Sequence, residues 1–161
     1  MRAVIQRVVN ASVQVEGRIA GQIGRGLLIY LSVGKADGEK DAEFVAEKIS
    51  GLRIFSDPAL RPDSGQAGKM NLSVQDVGGE VLIVSNFTLH GDCRKGRRPG
   101  FDAAAEPGLA QTLYEKAAKL IADKGIRVAK GIFGANMQVS SVNDGPVTFI
   151  LESSDQSQLK L

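Results

Sequence analysis

Leu27-Leu28-Ile29-Tyr30-Leu31-Ser32-Val33 is an almost unbroken apolar run that follows the turn Gly24-Arg25-Gly26. It is the right length for a strand buried on both faces and too short for a helix of ordinary length, so it reads as a central strand. The period changes immediately downstream. Across Asp37 to Leu52 the apolar positions Ala42, Val45, Ile49 and Leu52 recur at steps of three or four, while Glu39, Lys40, Glu43, Glu47 and Lys48 take the opposite face. That spacing predicts an amphipathic helix.

Working outward, Arg2 to Val15 alternates and is rich in Val and Ile. Glu16-Gly17 and the following Arg18 to Ile23 read as the turn and return strand of a hairpin. Arg53 to Ser56 reads as a short strand, and Asp57 to Lys69, punctuated by Pro58, Pro62, Gly65 and Gly68, as a long loop. Val81 to Val84 is a second buried strand that runs into the polar Ser85-Asn86-Phe87-Thr88-Leu89. Polar side chains at the end of a buried strand are candidates for chemistry. Glu106 to Lys124 predicts the second helix, with Pro107 in its first turn, Leu109, Leu113, Leu120 and Ile121 on its inner stripe and Gly125 just beyond its end. Ile126 to Ile132, Met137 to Val142 and Val147 to Leu151 read as three further strands, the last two separated by Asn143-Asp144-Gly145-Pro146. The order of strands and two helices does not repeat as βαβ units. It favours an α+β domain over residues 1–152 with a largely antiparallel or mixed sheet, followed by a frayed tail over 153–161.

Composition narrows the chemistry. A chain of 161 residues buries roughly two thirds of its unfolded surface as one domain. With 43% hydrophobic and 24% charged residues, no apolar run of spanning length and no secretory leader, a cytoplasmic protein without a membrane segment is expected. One cysteine, Cys93, and one histidine, His90, leave little material for a metal site or a Ser-His-Asp triad, so no metal or cofactor is expected. A net charge of +2 gives no strong field. The cations are clustered, however: Arg94, Lys95, Arg97 and Arg98 fall within five residues around Gly96 and ahead of Pro99-Gly100. This is an exposed basic loop suited to phosphates, or else a solvated turn.

Several segments, in order, resemble the D-aminoacyl-tRNA deacylases. They are Met1-Arg2-Ala3-Val4-Ile5-Gln6-Arg7-Val8, Ser85-Asn86-Phe87-Thr88-Leu89, Arg94-Lys95-Gly96-Arg97-Arg98-Pro99, Phe133-Gly134-Ala135-Asn136-Met137 and Asn143-Asp144-Gly145-Pro146-Val147-Thr148. Each is weak alone, and the ordered set is specific. The resemblance runs from Met1 almost to Leu151. It implies a barrel-like α+β fold, a homodimer, and hydrolysis of the ester that links a D-amino acid to the 3′ end of a tRNA, with glycine as a second candidate substrate. Two positions depart from the pattern. Asn86 replaces the usual Gln, keeping the amide on a side chain one methylene shorter, and Asn136 stands where Asp is common.

The resemblance also implies site residues. The catalytic segment is Ser85, Asn86, Phe87 and Thr88. The chiral gate is Gly145 and Pro146, joined by a cis peptide and inserted into the partner subunit's site, with Asn143 beside it and Arg7 steadying it. Phe133 and Met137 cradle the terminal adenine, and Arg94, Lys95, Arg97 and Arg98 contact phosphates. Without the resemblance, Gly145-Pro146 reads as an ordinary tight turn between strands, Phe133 and Met137 as core, and Arg7 as a solvent-facing strand residue.

The chemistry of these residue types is consistent with such a site. Glycine before proline exposes bare backbone, so a wall built from it rejects one enantiomer by collision without recognising a particular side chain. Glycine on the tRNA would pass the same wall. Thr88 is the obvious protein hydroxyl, with Ser85 next, yet neither has a persuasive base. His90 shares a face with Thr88 only if the strand continues, and a structural histidine is the simpler reading. The other route uses the ribose 2′-OH beside the ester, with backbone N–H groups near Phe87 and Thr88 holding the oxyanion. Two rivals stay open: a related deacylase for a small L-amino acid, and a non-catalytic RNA-binding module.

Overall fold

The computed structural model describes residues 1–57, 69–94 and 96–153. Its elements are β1 (Arg2–Val15), β2 (Arg18–Ile23), β3 (Gly26–Ser32), α1 (Glu39–Gly51), β4 (Phe55–Ser56), β5 (Met70–Leu72), β6 (Glu80–Ser85), a 3₁₀ turn (Phe87–His90), α2 (Pro107–Ala122), β7 (Val128–Lys130) and β8 (Gln138–Glu152). The main sheet has the order β2-β1-β3-β6-β7, and β8 pairs with the remaining edge of β1. Pairs β1–β2, β1–β3 and β1–β8 are antiparallel, whereas β3–β6 and β6–β7 are parallel. The α+β class and mixed sheet match the sequence expectation. Each helix lies between two parallel strands in the chain order, a crossover role that periodicity could not show.

β3 is central, and its apolar run has a direct cause. Leu27, Ile29 and Leu31 face a core shared with Ala42, Val45 and Ile49 of α1 and with Leu113, Tyr114 and Ile121 of α2. Leu28 faces a second core with Val8, Val13, Leu82 and Val84. A strand covered on both faces shows no alternation. The sheet curls until β2 meets β7: a Cβ at Gly21 would lie 2.6 Å from the carbonyl oxygen of Lys130. The result is a nearly closed barrel. At Gly26 a Cβ would fall 1.8 Å from the Glu80 carbonyl oxygen, so the β3–β6 pairing begins where only glycine fits.

Several local expectations change. The two strands expected over Met137 to Val142 and Val147 to Leu151 are one strand, β8, beginning at Gln138, which runs antiparallel to β1 along nearly all of its length. Asn143 to Pro146 is therefore a bulge within a strand, where Gln6 faces Thr148 but Val8 faces Asn143. Proline and glycine signal a break in pairing, and the chain direction persists through it. The strand predicted over Ile126 to Ile132 shortens to Val128–Lys130, and that over Arg53 to Ser56 to Phe55–Ser56, paired with the unforeseen β5.

Leu109, expected on the inner stripe of α2, is 40% exposed, because the buried stripe begins at Leu113. Of the expected tail, residues 154–161 lie outside the described residues. Ser153 is buried, donating its N–H to the Met1 carbonyl at 2.9 Å. The expected loop over Asp57 to Lys69 is likewise undescribed at 58–68.

Candidate active site

The C-terminal ends of the parallel strands β3 and β6 open into a cavity of about 660 Å³. Ser85, Asn86, Phe87 and Thr88 line one side of it, and Phe133 and Met137 another. Sequence placed these residues far apart, and the fold brings them to one mouth. Strand ends are where irregular backbone can present polar groups, which is why parallel sheets carry their sites there.

The strand stops at Ser85, and the chain turns into the 3₁₀ segment with Asn86 as its cap. Asn86 Oδ1 accepts from the Thr88 amide at 3.2 Å and from the Thr88 hydroxyl at 2.5 Å. The Asn86 backbone N–H donates to the Leu31 carbonyl at 2.8 Å, tying the turn to β3. The shortened amide at this position thus has a defined task, one that motif spacing did not reveal. The Thr88 hydroxyl proton faces an amide oxygen, which is not a base.

His90 does not pair with Thr88. With 87–90 coiled as a 3₁₀ turn, the two side chains lose the common strand face. His90 Nδ1 instead lies 2.6 Å from the Ser32 hydroxyl. Burial lowers the His90 pKa, and the nearby Arg2 guanidinium adds to the effect. Arg2 in turn donates from Nη1 to the Leu89 carbonyl at 2.5 Å and pairs with Glu152 at 2.6 Å.

Phe133 and Met137 are half-buried, and each also packs on a core: the Phe133 ring lies 5.9 Å from that of Tyr114, and Met137 packs against the cluster around Leu82 and Val84. Both therefore line the cavity and pack on a core at once. Tyr114 is buried and donates its hydroxyl to the Ile83 carbonyl at 2.9 Å. Burial pushes its pKa up strongly, so it stays neutral.

The Gly145–Pro146 peptide is cis, Gly145 has φ +117°, and both residues are exposed. Asn143 staples the bulge, donating from Nδ2 to the carbonyls of Arg7 at 2.9 Å and Val147 at 3.1 Å. Arg7 is 9% exposed; Nη1 donates to the Ile54 carbonyl at 2.7 Å, and Nε pairs with Asp144 at 2.9 Å. It is a buried arginine fastened to the bulge, not a solvent-facing one. Gly145 and Pro146 do not line the cavity. The bulge pairs near Val8, which faces Gly26 at the start of β3, while the cavity lies at Ser32, the other end. Gly26 and Ser32 are roughly 20 Å apart along β3, and the cavity lining on that strand begins at Tyr30.

The basic segment is closed at its base by paired N–H···O bonds between Asp92 and Gly100, at 2.7 and 3.0 Å. Arg94 is engaged within it by a bidentate contact with Asp92, at 2.9 and 2.7 Å, which holds the Asp92 carboxyl well below the usual carboxylate range. Arg97 and Arg98 are exposed and make no hydrogen bond or ion pair among the described residues. Lys95 lies outside the described residues. No cluster of three or more His, Cys, Asp or Glu side chains that could hold a metal occurs among the described residues, and no helix among them is long and apolar enough to cross a membrane.

Comparison with known proteins shows what this arrangement is similar to. The family model described as D-Tyr-tRNA(Tyr) deacylase matches residues 4–152. A D-aminoacyl-tRNA deacylase of Koribacter versatilis is 58% identical over 153 residues, covering 95% of this chain and 97% of that protein. Its counterpart in Thermotoga petrophila is 54% identical over 154 residues, covering 96% and 98%. A solved structure described as c-Myc DNA Unwinding Element Binding Protein superposes with a TM-score of 0.81 at 39% identity, covering 94% of this chain and 98% of that one. A second, described as a probable eukaryotic D-amino acid tRNA deacylase, has a TM-score of 0.74 at 17% identity over 93% and 97%, and speaks to the fold.

Proposed function

The chain belongs to the D-Tyr-tRNA(Tyr) deacylase family, and from that premise we propose that it hydrolyses the ester of D-aminoacyl-tRNA, releasing a free D-amino acid and tRNA. The observation that carries the mechanism is the pairing of Thr88 with Asn86 at the cavity mouth, where the hydroxyl has an amide oxygen in place of a base. The nucleophile is then water, oriented by the ribose 2′-OH next to the scissile ester. Water adds to the carbonyl carbon, the Phe87 N–H holds the developing oxyanion, and the ester bond breaks with the proton passing to the ribose oxygen that leaves. The Thr88 N–H, bound to Asn86 at 3.2 Å, is the second donor once that contact yields.

Phe133 and Met137 grip the terminal adenine by an aromatic face and a polarizable thioether. Arg97 and Arg98, with Arg94, hold acceptor-end phosphates. Gly145 and Pro146 form the chiral wall of a second copy's cavity. Their absence from the lining of their own chain's cavity supports this, as does the apolar surface left exposed around the bulge at Val9, Val142, Phe149 and Ile150. Arg7, through Asp144 and the Ile54 carbonyl, fixes the wall's position.

The test is side-by-side, single-turnover hydrolysis of D-Tyr-tRNA, L-Tyr-tRNA, Gly-tRNA and L-Ala-tRNA at saturating protein. Cleavage of the D-aminoacyl and glycyl esters, with the L-tyrosyl ester spared, is expected. Preferential cleavage of L-Ala-tRNA would identify an editing deacylase for a small L-amino acid, and no cleavage of any ester would leave an RNA-binding module.

A further inference from the structure

The mechanism above uses the backbone of Phe87 and leaves its side chain idle. That ring is 59% exposed and meets Phe101, 38% exposed, in an edge-to-face contact with centroids 5.0 Å apart and planes at 69°. An edge-to-face pair covers one face of one ring and leaves other π faces open. The pair is built, not accidental: a Cβ at Gly91 would lie 3.1 Å from Cε1 of Phe101 and 2.9 Å from the Thr88 carbonyl oxygen, so the bare backbone there lets Phe101 close on the turn. Phe101 also follows immediately on Gly100, the residue that closes the basic loop against Asp92. The aromatic pair therefore bridges two features. Phe87 lines the cavity beside Thr88, and Phe101 stands three residues from the exposed Arg98.

We infer that Phe101, braced by Phe87, is a second base platform that stacks the unpaired nucleotide immediately 5′ of the aminoacylated adenosine, while Arg97 and Arg98 neutralise the phosphates of that strand. The inference rests on the reading of the chain as an aminoacyl-tRNA hydrolase and deepens it by naming how the single-stranded end is held. Charge complementarity selects the occupant, since an apolar ring pair next to unpaired arginines matches a base joined to a phosphate. Stacking on an aromatic face reads no hydrogen-bond pattern, so the platform tolerates any base and suits an enzyme acting on many tRNAs.

Three substrates test it: D-tyrosyl-tRNA, the same tRNA with an abasic residue at the penultimate position, and the nucleoside ester D-tyrosyl-adenosine. For Phe101→Ala, kcat/KM on the tRNA is expected to fall on the order of tenfold further than on the nucleoside ester. The abasic tRNA should lose a similar factor with the wild-type protein and far less with the variant, and Phe101→Trp should restore the difference. Equal falls on tRNA and nucleoside ester, or fully additive effects of variant and abasic residue, would overturn the platform. Equal falls accompanied by weakened self-association in sedimentation would instead assign the ring pair to contact with a second copy. The abasic comparison repeated as binding of uncharged tRNA separates the two readings. A tenfold binding contrast in a protein that cleaves no ester overturns the hydrolase alone, and no contrast in an active hydrolase overturns the platform alone.

Discussion

The hydroxyl of Thr88 donates to Oδ1 of Asn86 at 2.5 Å, and the same oxygen accepts the Thr88 amide at 3.2 Å. One side-chain amide thus occupies both groups of Thr88 that a hydrolytic site could use. A hydroxyl becomes a nucleophile when a base takes its proton, and an amide oxygen has no useful basicity. The bond orients Thr88 without activating it.

Thr88→Ala is accordingly expected to keep kcat within about tenfold of wild type, while a substrate ending in 2′-deoxyadenosine loses on the order of a hundredfold, the usual scale for a missing acid–base group. Single-turnover rates on both substrates check this. Loss of all chemistry in Thr88→Ala, with folding and tRNA binding intact, would return the nucleophile to the protein.

Arg7→Ala removes the ion pair to Asp144 and the bond to the Ile54 carbonyl. Stability should fall by about 1–3 kcal/mol, since a buried acceptor is left without its donor. The preference for D- over L-tyrosyl ester should narrow at the same time, because the bulge carrying Gly145 and Pro146 loses its anchor. Urea denaturation and the ratio of the two hydrolysis rates are the measurements.

Arg97→Gln with Arg98→Gln should weaken tRNA binding and lower the slope of log affinity against log salt by about 1.5, the release of counterions from two phosphate contacts. Arg94→Gln should change the slope less, as its guanidinium is already shared with Asp92. Titrations at several salt concentrations distinguish them.

Stability should fall with acidity through His90. Burial and Arg2 lower its pKa in the fold, opposed by Asp37 and Glu152, with the Met1 ammonium adding to the lowering. The unfolded chain then binds more protons than the native one below the ordinary histidine pKa of about 6.5. The contribution is complete above that value and is lost as pH falls toward the lowered folded pKa. Thermal midpoints between about pH 7 and 5 should drop in the wild type and drop less in His90→Gln, which keeps an acceptor near Ser32.

Much of the fold is legible in the sequence. The apolar run at Leu27 to Val33, the step of three or four in α1 and the alternation of β1 each record which neighbours cover that segment, so local pattern and observed element agree. The same holds for Gly125, which ends the second helix region with φ +82°. The site was legible as segments. Ser85 to Thr88 stood out because polar residues follow a buried strand, and the basic loop because its cations are adjacent.

What pattern could not supply were relations between distant residues. Asn143 to Pro146 has the composition of a turn, and only pairing along β1 shows a bulge in a continuing strand. Arg7 has the look of a surface residue, and only Ile54 and Asp144, brought near it by the fold, make it buried and bound. The amino-acid order determined the main helices, the buried strands and the family, because periodicity and motif are local properties of a chain. The tertiary structure alone decided that Gly145 and Pro146 lie at the opposite end of β3 from Thr88, because strand register is set by long-range pairing that no single segment encodes.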